Sequence, residues 1–138
     1  GTVGFPSTLW EEWKTTYLLQ KAWHRDPRRM SAADIARMAI YNNAALANDF
    51  FPLEIGALKP GAAADLMFVD YNTPTPLSAG NLPWHILFGF RDSMVTTTIA
   101  NGKVLMQDRQ LLTLDEKEIA AKACELAAKT WERYQDKF

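Results

Sequence analysis

The stretch from Val95 to Met106 constrains the fold more than any other part of this 138-residue chain. Val95, Thr97 and Ile99 alternate with Thr96 and Thr98, Asn101-Gly102 follows, and Lys103 to Met106 resumes the run. Alternation at period two puts one set of side chains on each face of a strand, and β-branched residues suit that pleat. Asn-Gly between two such runs supplies the paired positive φ angles of a type I′ turn, so an antiparallel hairpin is predicted here. A second reversal at Gln107-Asp108-Arg109 leads to Gln110-Leu111-Leu112. An arginine held in the left-handed conformation in such a turn costs about 1 kcal/mol.

Upstream, Pro60-Gly61 makes a tight turn that feeds small residues into the apolar run Leu66 to Val69, ending at Asp70. That pattern predicts a buried strand entered through a bend. Asn72 to Pro83 is rich in Pro, Gly, Ser, Thr and Asn and is expected to be an irregular surface connection. The apolar residues from Trp84 to Phe90 should then anchor the chain back in the core.

Three helices are signalled by one device. Thr8 with Glu11, Ser31 with Asp34, and Thr113 with Glu116 each place a hydroxyl at the N-cap and an acid three residues on, the Asp34 version being weaker because the box prefers Glu or Gln. The first helix is predicted from Leu9 to Trp23, stopping before Asp26-Pro27. Its apolar residues, Leu9, Trp10, Trp13, Tyr17, Leu18, Leu19 and Trp23 among them, wrap more than one stripe, so it should be covered on more than one side. A second helix from Ala32 to Tyr41 should end at Asn42-Asn43, with a further turn from Ala44 to Asn48. The last, from Asp115 to Tyr134, gathers Ile119, Ala123, Leu126, Trp131 and Tyr134 opposite a charged face and is expected to dock on a surface.

With 15 basic and 16 acidic residues the net charge is −1, which gives no electrostatic footprint for nucleic acid or anionic membrane, and neither is expected as a partner. The basic cluster Lys21, His24, Arg25, Arg28 and Arg29 falls where a helix should end, where cations complement the dipole, and this reading is preferred to phosphate binding. A single cysteine, Cys124, excludes an internal disulfide and suits a reducing, cytoplasmic setting. No run approaches the roughly 20 apolar residues of a membrane span.

The run Ile55-Gly56-Ala57-Leu58-Lys59-Pro60-Gly61 through Asp70 resembles the one that follows the catalytic barrel in metal-dependent amidohydrolases. Gly1-Thr2-Val3-Gly4-Phe5-Pro6-Ser7 is similar to the Gly-Thr-Asp-Gly segment that closes their active site. Ala36 to Ala47 resembles the helix before the Gly-x-Leu-x-x-Gly run, and Ile99 to Val104 the hairpin after it. The likeness lies nearest the aminohydrolases and chlorohydrolases, including cytosine-deaminase-like members and the aminohydrolases of selenium-linked purine catabolism.

This resemblance implies a mixed α and β fold: the C-terminal end of a TIM-type (β/α)8 barrel, part of the flanking β-sandwich domain, and a terminal helix. Residues 1–52 would be the last helices of the barrel, 53–112 part of the small composite β domain with an irregular connection at 72–92, and 113–138 the C-terminal helix. A complete barrel needs roughly 250 residues, so the chain is expected to be the last quarter to third of an enzyme and inactive by itself. The intact enzyme would use a divalent metal, zinc or iron, to activate water against a carbon–nitrogen or carbon–halogen bond of a small heterocycle. Its partners would be that substrate and either the N-terminal barrel portion or a second copy of the chain. Two alternatives stand in other classes: a non-catalytic β-plus-helix interaction module, and a half-enzyme subunit completed by a second chain.

Where the family carries its metal-binding aspartate, this chain has Val3, which offers neither a lone pair nor a proton, so no catalytic or metal-binding residue is expected. Ser7 is the one candidate for substrate contact, weighed against a role in starting the first helix with Thr8. His24 and His85 lack ligand spacing and read as a helix-end residue and a packed, hydrogen-bonded histidine. Asp65 and Asp70 flank a strand and read as structural, Gly56 and Gly61 as bends rather than a phosphate cradle, and Lys59 as a solvated turn residue. Cys124 has no histidine nearby in sequence to activate it and reads as packing.

Overall fold

In the computed structural model, which describes residues 8–135, the chain begins with α1 (Leu9–His24) and α2 (Ala32–Ala36). A π-helical turn (Arg37–Asn42) then leads into α3 (Asn43–Ala47). There follow β1 (Leu66–Val69), α4 (Leu82–Phe88), a 3-10 turn (Asp92–Met94), β2 (Val95–Ala100), β3 (Lys103–Gln107), β4 (Gln110–Leu111) and α5 (Glu116–Gln135). The fold is mixed α and β. The strands form one antiparallel sheet in the order β1-β2-β3-β4, and α1, α2 and α4 pack together around a small apolar core.

Both ends of α1 are closed. The Glu11 amide donates to the Thr8 hydroxyl at 3.3 Å, satisfying one of the first-turn amides. At the far end Arg25 turns left-handed (φ 50°), and the amides of Arg25 and Asp26 return to the carbonyls of Ala22 and Lys21, a Schellman closure. Lys21 spends its ammonium on the carbonyls of Pro27 and Arg29 (2.6 and 2.5 Å), and the Arg28 guanidinium pairs with Asp26 at 3.0 Å. These two basic residues therefore stitch the link between α1 and α2. That link ends in a complete capping box: the Asp34 amide donates to the Ser31 hydroxyl (3.2 Å) and the Ser31 amide to the Asp34 carboxylate (2.9 Å).

The helical segment does not end at Asn42-Asn43 as expected. It widens into the π turn and continues into α3, with Asn42 and Asn43 both helical. The Asn43 side chain donates to the Ala39 carbonyl at 3.0 Å, so a residue expected to break the helix laces it instead.

The core forms where α4 meets α1 and α2. Leu87 is 3% exposed, against Ala32 and Ile35 at 1% each, with Trp13, Tyr17 and Met30 packed around them. Tyr17 meets Trp84 and Phe88 edge-on at 5.8 and 5.3 Å, and the buried Trp10 meets Phe90 at 5.6 Å. The apolar run after residue 83 thus anchors the chain as a helix, which starts earlier than expected, at Leu82, with Pro83 in its first turn. The expectation that α1 is covered on several sides is not met. Leu9, Leu18, Leu19 and Trp23 remain exposed, because α2 and α4 reach only the face that carries Trp10, Trp13 and Tyr17.

The sheet follows its turns. Asn101 (φ 47°) and Gly102 (φ 77°) join Ala100 to its partner Lys103, the type I′ geometry expected. Asp108 (φ 48°) and Arg109 (φ 63°) repeat it between Gln107 and Gln110. Arg109 accepts the left-handed strain while its amide donates to the Thr96 carbonyl (2.9 Å) and its guanidinium to the Ser93 carbonyl (3.1 Å) and Asp70 (3.3 Å). Two expectations fail here. β1 is an edge strand rather than a buried one, with Met67 and Phe68 each 52% exposed, since only β2 pairs with it among the described residues. α5 does not dock: every described residue of it is exposed, and its N-terminus is capped by Asp115, which accepts from the Lys117 and Glu118 amides, rather than by Thr113. Among the described residues no helix is long and apolar enough to cross a membrane.

The hairpin tip yields a clean test. A Cβ on Gly102 would have no atom within 4 Å, so a side chain there meets only backbone strain. Gly102→Val is expected to lower stability by more than about 1 kcal/mol, read as a fall in the denaturation midpoint. An unchanged midpoint would show that the turn relaxes into another geometry.

Candidate functional site

Val3 and Ser7 lie outside the described residues. The first described residue, Thr8, borders a cleft of about 320 Å³ between the start of α1 and the sheet, shared with Leu9, Trp10, Trp13, Met67 and Asp92. Its walls are mainly apolar. The Thr8 hydroxyl already accepts the Glu11 amide, which leaves the Asp92 carboxylate as the only ionisable group lining it among the described residues. One carboxylate cannot assemble the three or four ligands of a hydrolytic metal site.

Neither histidine supplies more. His24 is exposed at the end of α1. The ring of His85, on α4, is half-buried; Nδ1 lies 2.8 Å from the Tyr71 hydroxyl and Nε2 lies 3.5 Å from the Thr75 hydroxyl. It is the packed, hydrogen-bonded residue the sequence suggested. Tyr71 sits 14 positions away and carries no pattern that would have announced the pairing.

The carboxylates are engaged in holding the fold. Asp65 accepts the Asn101 amide at 2.6 Å, and beside it the Ala64 carbonyl accepts the Gly102 amide at 3.0 Å, so the hairpin tip is clasped to the entrance of β1. Asp70 receives the Arg109 guanidinium. Gly61 (φ 87°) completes a turn in which the Ala62 amide donates to the Lys59 carbonyl, and Lys59 is ion-paired to Glu54 at 2.5 Å rather than merely solvated. Gly56 lets the chain lie against α3, where an added Cβ would come within 2.6 Å of the Ala44 side chain. Asn48 then grips Ile55 from both sides, accepting its amide (2.8 Å) and donating to its carbonyl (3.3 Å). Cys124 is exposed on α5, which corrects the expectation that it packs. Among the described residues no group of three or more His, Cys, Asp or Glu side chains could hold a metal ion, so the divalent ion implied by the resemblance finds no ligand set here.

Among the described residues two carboxylates depart from ordinary acidity, Asp26 in the α1–α2 link and Asp34 in the first turn of α2. Hydrogen bonds from the Arg28 side chain and amide hold Asp26 below the usual carboxylate range. The Ser31 hydroxyl and amide do the same for Asp34. In both, donors favour the charged form.

Comparison with known proteins places this scaffold. The profile of the amidohydrolase family matches residues 2–105. The chain belongs to that family. It is 35% identical over 89% of its length to a 5'-deoxyadenosine deaminase of Methanosarcina mazei, of which it covers 28%. It is 37% identical, again over 89% of its length, to a 5-methylthioadenosine/S-adenosylhomocysteine deaminase of Pelotomaculum thermopropionicum, of which it covers 29%. Among solved structures, a zinc-bound adenosine deaminase of Xanthomonas campestris aligns with a TM-score of 0.72 at 25% identity, over 88% of this chain and 27% of that one. An atrazine chlorohydrolase variant of Arthrobacter aurescens, with zinc and atraton, aligns at a TM-score of 0.58 and 20% identity, over 83% and 26%, which shows a shared fold. The chain thus spans less than a third of the length of these amidohydrolase relatives.

The Asp34 cap in this amidohydrolase segment has a pH signature. A carboxylate whose folded-state pKa is depressed contributes stability that is present above its unfolded value and lost as pH falls through the folded one. The cap should therefore hold at neutral pH and open only below the usual carboxylate range. Ser31→Ala is expected to raise the Asp34 titration midpoint, followed by carboxyl-carbon NMR; a midpoint that stays put would show that Ser31 does not set it.

Proposed function

We propose that this chain is the C-terminal portion of a metal-dependent aminohydrolase that hydrolyses an amino carbon–nitrogen bond on the purine of a 5'-modified adenosine. The observation that carries this reading is the agreement of the sequence relatives. At 35% and 37% identity they are deaminases of 5'-deoxyadenosine and of 5-methylthioadenosine or S-adenosylhomocysteine, and the structure aligning at 0.72 is an adenosine deaminase. The likeness to a chlorohydrolase, at 20% identity, supports the scaffold and not the substrate. In this reading residues 1–52 complete the barrel, 53–112 belong to the composite β domain, and 113–138 form the terminal helix. The rest of the relatives' length, more than two-thirds of it, would supply the metal ligands and cover the exposed faces of α1, β1 and α5. Those uncovered faces speak against a self-sufficient interaction module, since a module that folds alone buries its own apolar stripes.

No catalytic step is assigned to residues 8–135, and the chain alone is expected to be inactive. After dialysis the purified chain is expected to hold far less than one equivalent of zinc or iron by elemental analysis; a stoichiometric content would overturn that expectation.

The substrate reading is tested with a chimera in which this chain replaces the matching part of the Methanosarcina mazei deaminase, with Val3 and with Val3→Asp. The Val3→Asp chimera is expected to deaminate 5'-deoxyadenosine, and the Val3 form to be slower by on the order of a hundredfold or more, the range for loss of a proton-handling group. A folded Val3→Asp chimera that dechlorinates a triazine but leaves the nucleoside untouched would overturn the substrate class. Equal rates for the two forms would show that residue 3 does not occupy the aspartate position.

A further inference from the structure

We propose that Asn101, at the tip of the β2–β3 hairpin, is a latent deamidation site, kept intact in the folded chain by the clasp that Asp65 and Ala64 close on it. When the clasp opens, the tip converts to aspartate or isoaspartate. The inference concerns this chain's own backbone and holds whatever the substrate of the intact enzyme.

The sequence supplies the reactive pair. Asn101 is the chain's one asparagine followed by glycine. An asparagine side chain loses ammonia when the peptide nitrogen of the next residue attacks its Cγ, and a side chain on that next residue shields the nitrogen. Gly102 has no such shield. Even a Cβ built there would meet no atom within 4 Å, and both residues are exposed, so water reaches the tip. In the step, the Gly102 nitrogen bonds to Cγ as the Cγ–Nδ2 bond breaks. The Gly102 amide proton passes through water to the departing nitrogen, which leaves as ammonia. The cyclic imide then takes up one water: opening at Cγ gives aspartate, and opening at the Asn101 main-chain carbonyl carbon gives isoaspartate.

The fold opposes this step at three points. The attacking nitrogen is engaged, because the Gly102 amide donates to the Ala64 carbonyl at 3.0 Å and must give up that proton before the ring can close. The Asn101 amide donates to the Asp65 carboxylate at 2.6 Å. Ring closure also needs the Gly102 nitrogen to swing towards the Asn101 side chain by rotation of the Asn101 backbone. That backbone is fixed in the left-handed conformation (φ 47°) between the two clasp bonds and the Ala100–Lys103 pair. The rotation breaks the clasp first.

Conversion would not leave the hairpin as it was. A carboxylate at position 101 stands beside that of Asp65, and the like charges repel. Isoaspartate also lengthens the main chain inside a two-residue turn, which the type I′ geometry does not accommodate. Either product hinders the tip from closing again on the entrance of β1.

The test is incubation of the purified chain at mildly alkaline pH, with and without denaturing urea, followed by peptide mapping with mass detection and an isoaspartate assay. Conversion at Asn101 is expected to be slower by about tenfold or more in the folded chain than in urea, because both clasp bonds must open first. Asp65→Ala removes one of them and is expected to speed conversion of the folded chain about fivefold while leaving the rate in urea unchanged. Asp65→Asn, which keeps an acceptor in the same place, should stay near the original rate. Circular dichroism identifies the variants that keep the fold, and the comparison of the unsubstituted chain with and without urea decides the matter if neither does. Equal rates with and without urea, no conversion at Asn101 in urea, or a folded Asp65→Ala chain that converts at the original rate would each overturn the proposal.

Discussion

The structure depends on one wedge, Leu87 of α4 driven against Ala32 and Ile35. A helix of seven residues has little stability of its own, since the cost of nucleating it is recovered only through tertiary contacts. α4 makes those contacts in three directions. Leu87 reaches α2, Trp84 and Phe88 meet Tyr17 of α1, and His85 reaches Tyr71, two residues past the end of β1. Gly89 keeps the last contact open, because a Cβ there would lie 2.8 Å from both the His85 carbonyl and the Tyr71 ring. Remove the wedge and the helices lose the tie that joins them to the sheet.

Beyond that wedge, the fold is held by polar clasps of short reach. Asp65 and Ala64 hold the hairpin tip, Asn48 holds Ile55, and Lys21 holds the link after α1. Each satisfies a backbone group that would otherwise be stranded in an irregular segment. Individually such bonds contribute about 0.5–1.5 kcal/mol, less than truncation of a buried leucine costs, so they set geometry more than stability.

What was legible in the sequence was local. Asn101-Gly102 specifies its turn because the required φ angles belong to those residues, and Ser31 with Asp34 specifies a cap because both bonds close within four residues. The passage through Asn42-Asn43 was not legible, since low helix propensity is a few tenths of a kcal/mol and one bond to Ala39 offsets it. Nor was Tyr71–His85, a pairing made by the path of a connection with no periodic pattern. Of the candidate site, the sequence correctly indicated that His85 is packed and that Asp65 and Asp70 hold the fold.

The failed expectations about hydrophobic burial share a direction. β1 was expected buried and is an edge; α1 was expected covered on several sides and shows Leu18, Leu19 and Trp23; α5 was expected docked and is exposed throughout; Cys124 was expected packed and is exposed. Errors of pattern reading should fall both ways, with some residues thought exposed proving buried. Here the apolar stripes occur at the periods the sequence announces, and no element among the described residues receives them. Hydrophobic patterning records the environment in which a chain is selected, because each buried methylene is worth about 0.8 kcal/mol and an exposed one gains nothing. A pattern satisfied locally but unmet on three separate elements is what the proposed place of this chain within a longer enzyme leads one to expect, and the span of less than a third of the deaminase relatives agrees with that proposal.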